Sequence, residues 1–375
     1  MKNFESGTSE KLEALPVPEV VIREEPGIQL LSLLLKGEND YWGETETPLA
    51  KETTEYFSAN PLSQEILDAL HYFYDQGVDE ESLYNLSLVY QHPERKEEIF
   101  KFITKYKPQI DDLELIFGKL VSIIDLFSRS FDNSPLSEKI ANEIRRDKDE
   151  REATLEERRS RVEELINFYQ PRRETSPIQT VVYVPTDPLF KKSSGASFLV
   201  SPKEQIIVSN IDNPLNQDHE FLHGIINPIV EKISQSLTEV QKLKLTELAS
   251  QWLKSDYGEG HFSLLAEELI RTYTEIFEKG ETLKTETEFL TQVQGLGEDK
   301  FRQAREVNQV FNQRCVELGI ESLTDFQSQA KQYYERYERN KLRQLVLELY
   351  REYANRPDKK VDFEHFILDN LPPSL

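Results

Sequence analysis

Two histidines four positions apart, His219 and His223, with Glu220 beside the first, spell H-E-x-x-H within the run Gln217-Asp218-His219-Glu220-Phe221-Leu222-His223. Four helical positions leave two side chains about 40° apart, so both imidazoles can reach one ion. Glu220 can then face a water beside that ion and take its proton, the arrangement of a metal-dependent hydrolase. A helix is predicted to start here. Asn213 suits an N-cap, and Pro214 suits the first helical position, where its missing N–H would have had no partner. Leu222, Ile225 and Ile226 continue at helical spacing. A chance match to the motif is expected about once in eighty chains of this composition, so its surroundings have to carry weight as well.

A third ligand is not found where the metzincin pattern would put one. The glycine and histidine positions of that pattern hold Ile226 and Ile229. The better source is the stretch 263–277, S-L-L-A-E-E-L-I-R-T-Y-T-E-I-F, whose apolar face runs through Leu265, Leu269, Tyr273 and Ile276. Glu267 and Glu268 flank that face at nearly equal angles, and periodicity alone does not choose between them. Tyr257 and His261 ahead of this helix, and Arg271 on it, are candidates by position to steady a developing oxyanion. Arg271 is alternatively a partner that orients Glu267.

These residues need a scaffold, and the chain supplies mostly helices. Strand character at 18–23 is followed by a break at Pro26-Gly27 and a short helix over 28–35, stopped by Gly37. Helical segments follow at 47–57, 62–74, 82–90, 94–106 and 113–131. The apolar face of the last runs through Leu115, Ile116, Leu120, Ile123, Ile124 and Phe127. The stretch 137–168, with Arg145-Arg146-Asp147-Lys148-Asp149-Glu150-Arg151-Glu152, reads as one long solvated helix of alternating charge. From Pro171 the texture turns to strands: 178–184 is β-branched, and 198–208 forms a hairpin about Ser201-Pro202-Lys203-Glu204. Its edge is expected to pair with an extended peptide. Pro228 lacks an N–H and would clash with the Gly224 carbonyl, so the H-E-x-x-H helix is expected to kink or end there. Further helices are expected at 289–293, 299–318, 322–350 and 363–371. The fold class is α+β, predominantly helical, with a small sheet before the H-E-x-x-H helix. The expected regions are a helical 1–170, a zincin-like core at 171–280 and a helical 281–375.

Composition bounds the partners. The net charge of −23 would repel a nucleic-acid backbone or an anionic lipid surface, so neither is expected. The single cysteine, Cys315, leaves no intramolecular disulfide. No apolar run has the length of a membrane span, and the first twenty residues carry none of export-signal length. A cytoplasmic location is the expectation. No G-x-S-x-G elbow and no glycine-rich phosphate loop is present.

The run D-H-E-F-L-H-G-I-I-N-P-I-V-E-K at 218–232 resembles the active-site segment of a bacterial family of H-E-x-x-H proteins. That family is catalogued as a domain of unknown function and read as zinc peptidases of the glutamate-zincin type. E-E-L-I-R-T at 267–272 is similar to the family's later E-x-aliphatic-aliphatic-R-A segment, with Thr272 in place of its small residue. Looser likeness is carried by I-Q-L-L-S-L-L-L-K-G, by E-Y-F at 55–57 and by G-V-D-E-E-S-L at 77–83, so the resemblance spans 22–277. It implies Zn2+ held by His219, His223 and Glu267, with Glu220 as general base for hydrolysis of a peptide or protein substrate. Two alternatives stand beside it: a catalytically silent zincin fold that binds a peptide or protein, and a helical scaffold with incidental histidines. Family members commonly carry an export signal.

Overall fold

The parallel strands β1 (Glu19–Ile22) and β2 (Thr180–Val184) lie side by side although all of the N-terminal helices separate them in sequence. Such a pairing needs a long crossover, and here the crossover is a helical body of its own. A computed structural model describes residues 16–39, 48–108, 110–171, 178–185, 195–209, 214–250, 260–283, 323–357 and 361–370. They form an α+β architecture, predominantly helical, divided into two compact units, Met1–Ile225 and Ile226–Leu375.

In the first unit β2 also runs parallel to β4 (Glu204–Ser209), and β3 (Gly195–Ser201) pairs antiparallel with β4. The sheet order is β1-β2-β4-β3. The hairpin turn falls at Pro202-Lys203, as the sequence predicts. The crossover contains α1 (Pro26–Asn39), α2 (Pro48–Ala59), α3 (Gln64–Asp75), α4 (Glu80–Gln91), α5 (Lys96–Tyr106), α6 (Leu113–Phe131), α7 (Pro135–Ala153) and α8 (Leu155–Tyr169). Asp79, Asp112 and Ser134 cap α4, α6 and α7 with side-chain oxygens that accept from the third residue on. Side chains alternate across a strand. Val182 and Val184 of β2 and Ile206 and Val208 of β4 join the main apolar core with α1, α3, α4 and α6. Tyr183 points the other way.

Several expectations are corrected. β1 ends before Pro26-Gly27, as expected, but that pair opens α1, which also runs past Gly37. Gly27 is required because a Cβ there would sit 2.4 Å from the Ser87 carbonyl oxygen of α4. Leu115 is 46 % exposed, and Leu113 is buried in its stead. The Asp112 cap fixes the first turn so that Leu113 faces inward. The stretch 137–168 is two helices broken at Thr154, and Asp147 and Arg151 within its charged run are buried, not solvated. They pair with each other at 2.9 Å, and Arg151 also donates to the Ser209 carbonyl.

The second unit contains the later part of α9 (Pro214–Ser236), α10 (Glu239–Ser250), α11 (Gly260–Arg271), a wide π-helical turn (Thr272–Phe277), α12 (Leu323–Asn355) and α13 (Phe363–Asn370). Helix α9 continues through Pro228. One absent hydrogen bond is outweighed by the burial of Ile225, Ile226, Ile229 and Val230 around it. Tyr350 anchors this unit: its ring stacks on Phe363 at 5.2 Å and its hydroxyl donates to the Leu269 carbonyl at 3.1 Å. The segments expected at 289–293 and 299–318 lie outside the described residues. Among the described residues no helix is long and apolar enough to cross a membrane.

Phe198 of β3 stacks on Tyr84 of α4 at 5.3 Å, and both are buried. Phe198→Ala is expected to cost about 3–5 kcal/mol, read as a lower midpoint of urea unfolding with circular dichroism as the signal.

Candidate metal centre

The second turn of α9 is held from two sides. Asp218, 3 % exposed, accepts from Arg158 and, at 2.7 Å, from Nε of Arg161, both on α8. Arg158 Nε also donates to the Tyr183 hydroxyl on β2 at 2.6 Å, and burial pushes the Tyr183 phenol up. From the sheet, Gln205 of β4 donates to the Glu220 carbonyl at 2.8 Å. This approach depends on Gly224. A Cβ there would meet Ile178 Cδ1 at 2.5 Å and Gln205 Oε1 at 2.7 Å. The residues flanking the motif therefore set both the rotation and the depth of the helix against the sheet.

The two motif histidines lie one turn apart on α9. Their Nε2 atoms are 3.2 Å apart, with the rings edge to face at 4.9 Å. Two nitrogens at the usual 2.0–2.1 Å from a tetrahedral zinc lie roughly 3.3–3.4 Å apart, close to the separation of this pair. Glu220, beside them, is 7 % exposed. Asn213, the expected cap, lies outside the described residues.

The two glutamates of α11 have different surroundings. Glu268 is fully buried: its Oε1 accepts from Arg339 at 2.7 and 2.9 Å, and its Oε2 from Arg343 at 2.5 Å. Both arginines are on α12, and they commit this carboxylate to structure. Glu267 keeps 13 % of its side chain exposed and accepts from Arg271 Nε at 2.8 Å. Arg271 also approaches Glu275 at 3.5 Å. Burial alone would lower the Arg271 pKa, but the carboxylates of Glu267 and Glu275 outweigh it and raise it. His261 lies in the first turn of α11, and Tyr257 falls outside the described residues.

Sequence reasoning assigned no role to Glu81, in the first turn of α4. Its carboxylate receives the backbone N–H of Leu199 on β3 and stands 3.9 Å from Lys107 Nζ. The protein packed around it and the Asp79 carboxylate push the Glu81 carboxyl up to about 7, while Lys107, Leu199 N–H and His223 act in the opposite sense. Its presence within the electrostatic reach of His223 follows from α4 packing against β3. The motif G-V-D-E-E-S-L contains Glu81, but no local pattern marks it.

Comparison with protein-family models, with curated proteins and with solved structures finds no match.

Gly224→Ala must displace Gln205 or Ile178, so it is expected to destabilise by about 1–3 kcal/mol, read by thermal unfolding. The Glu81 carboxyl holds its proton more tightly folded than unfolded. With 43 % of its side chain exposed, solvent screens part of the effect; what stability the proton contributes is present below pH 4.5 and lost as pH climbs through about 7. In chelator-treated protein, unfolding midpoints measured between pH 4.5 and 8 should fall less steeply for Glu81→Gln than for the wild type.

Proposed function

We propose that this chain is a zinc-dependent peptidase with a zincin-like core, in which His219, His223 and Glu267 hold the metal and Glu220 is the general base. The observation that carries the reading is the histidine pair: the Nε2 atoms of His219 and His223 are 3.2 Å apart beside Glu220, close to the spacing of two nitrogen ligands on one zinc. Two neutral imidazoles and one carboxylate are the donor set of a catalytic zinc site, which keeps a further position for water or substrate. Arg271 supports the choice of Glu267 by fixing its carboxylate through Oε2, while Glu268 is taken up by Arg339 and Arg343.

Zinc bound there would polarise a peptide carbonyl and bring the pKa of a water towards about 7. Glu220 has the chemistry and the position to take that water's proton on a carboxylate oxygen and pass it to the leaving amine. Its low exposure keeps bulk water from competing for the proton, and the bond from Gln205 to its carbonyl fixes its backbone. The hairpin of β3 and β4 is the proposed rest for an extended substrate. β3 ends the sheet order among the described residues, although the N–H of Leu199 is already spent on Glu81.

Glu220→Gln should retain zinc, by elemental analysis after dialysis, and lose peptide hydrolysis by about 100-fold or more; equal cleavage by both proteins would remove Glu220 from the base role. His223→Ala should lose most of the metal. Glu267→Gln should weaken zinc binding in a competition titration, whereas Glu268→Gln should leave affinity near wild type and lower stability.

A further inference from the structure

The outer edge of β3 has an end, and Glu81 stands at it. The Leu199 N–H goes to the Glu81 carboxylate on α4, so it points away from β4. Residues of an antiparallel strand alternate between bonding the partner and facing away from it, so Ser197 is the next residue on that outer edge. On the other side of Leu199 the register with β4 shifts, and the chain turns at Pro202-Lys203. A peptide laid on this edge, the last in the sheet order among the described residues, therefore stops at Glu81.

Direction and charge agree on which end of the peptide stops there. β3 runs from Gly195 to Ser201, so an antiparallel partner starts opposite Leu199 and continues towards Gly195. Antiparallel pairing is also the more stable per residue. Its first residue would bring an α-ammonium to Glu81, whereas a parallel partner would bring an α-carboxylate. Asp79 and Glu81 share one cation, Lys107, whose Nζ lies 2.5 Å from Asp79 and 3.9 Å from Glu81. Lys107 is thus committed to Asp79, and the exposed part of Glu81 meets an arriving charge. A carboxylate is repelled there and an ammonium drawn in. The histidine pair is near, since His223 lies within the electrostatic reach of Glu81.

We propose that Glu81 receives the free α-ammonium of the substrate, so that the chain cleaves peptides from an unblocked N-terminus rather than within a longer chain. This rests on the peptidase reading and uses groups of the first unit alone.

The test uses the zinc-loaded full chain at pH 7.5 and two short peptides of one sequence, both amidated at the C-terminus. One has a free α-amino group, mostly charged at that pH, and the other is N-acetylated. The wild-type kcat/KM should favour the free peptide by about tenfold or more, the size of one charge-assisted hydrogen bond. Glu81→Gln, which keeps an acceptor for the Leu199 N–H, should retain zinc and bring that ratio near one. Binding gives a readout apart from activity: zinc-loaded Glu220→Gln should bind the free peptide about tenfold or more tightly than the acetylated one, by isothermal titration calorimetry. Equal cleavage of both peptides by the wild type, or a preference that survives in folded Glu81→Gln, would overturn the inference and leave the peptidase reading standing. Preferential binding of the free peptide with no cleavage by the wild type would sink the peptidase reading and leave N-terminal recognition at Glu81 in place. Neither binding nor cleavage of either peptide would overturn both.

Discussion

The interaction on which the rest depends is the clasp on Asp218. A carboxylate this deeply buried needs partners, and two arginines from α8 supply the counter-charge and the hydrogen bonds. Because Asp218 immediately precedes His219, the clasp fixes the azimuth of α9 at the point where azimuth decides which way the imidazoles face. Gln205 fixes the depth by holding the carbonyl of the next-but-one residue, Glu220. The 3.2 Å between the two Nε2 atoms follows from their spacing of four positions on one helix; rotation and depth set where that pair faces. Periodicity puts the histidines on one face, and the clasp determines what that face sees.

The same cluster explains why a chain with a net charge of −23 keeps several arginines inside. The alternating charges of 145–152 resemble a solvated face, and a local count of signs has no means of separating Arg151 from Arg146. Arg146 remains 63 % exposed and pairs with Glu143 and Glu150 on its own helix. Arg151 is drawn inward because β4 ends at Ser209 with a carbonyl that needs a donor, a demand set 58 positions away.

Much of the fold was legible where a segment's own residues decide its fate. Helix α6 was bounded correctly because Asp112 caps it and its apolar stripe is continuous, and the hairpin because Pro202-Lys203 separates two apolar runs. The failures share a different cause. Gly27 and Pro228 sit where tertiary contact overrules local preference: a glycine demanded by a neighbouring helix rather than by a turn, and a proline that does not end α9 because its flanks are buried. The joining of β1 to β2 across the eight described α-helices is likewise invisible to any window of sequence.

The candidate site divides along the same line. His219, Glu220 and His223 are a local pattern and could be read directly. The choice between Glu267 and Glu268 could not be made from the wheel, since both border the apolar stripe. It turns on Arg339 and Arg343, more than seventy positions downstream, which surround one carboxylate and leave its neighbour to Arg271. Glu81 is the extreme case, a carboxyl with no motif to announce it that takes a backbone donor of the outermost described strand near His223. Its position has a physical consequence for any peptide seeking that strand: the Leu199 N–H becomes available only if Glu81 gives it up. Strand pairing at that edge thus competes with an internal hydrogen bond rather than with water.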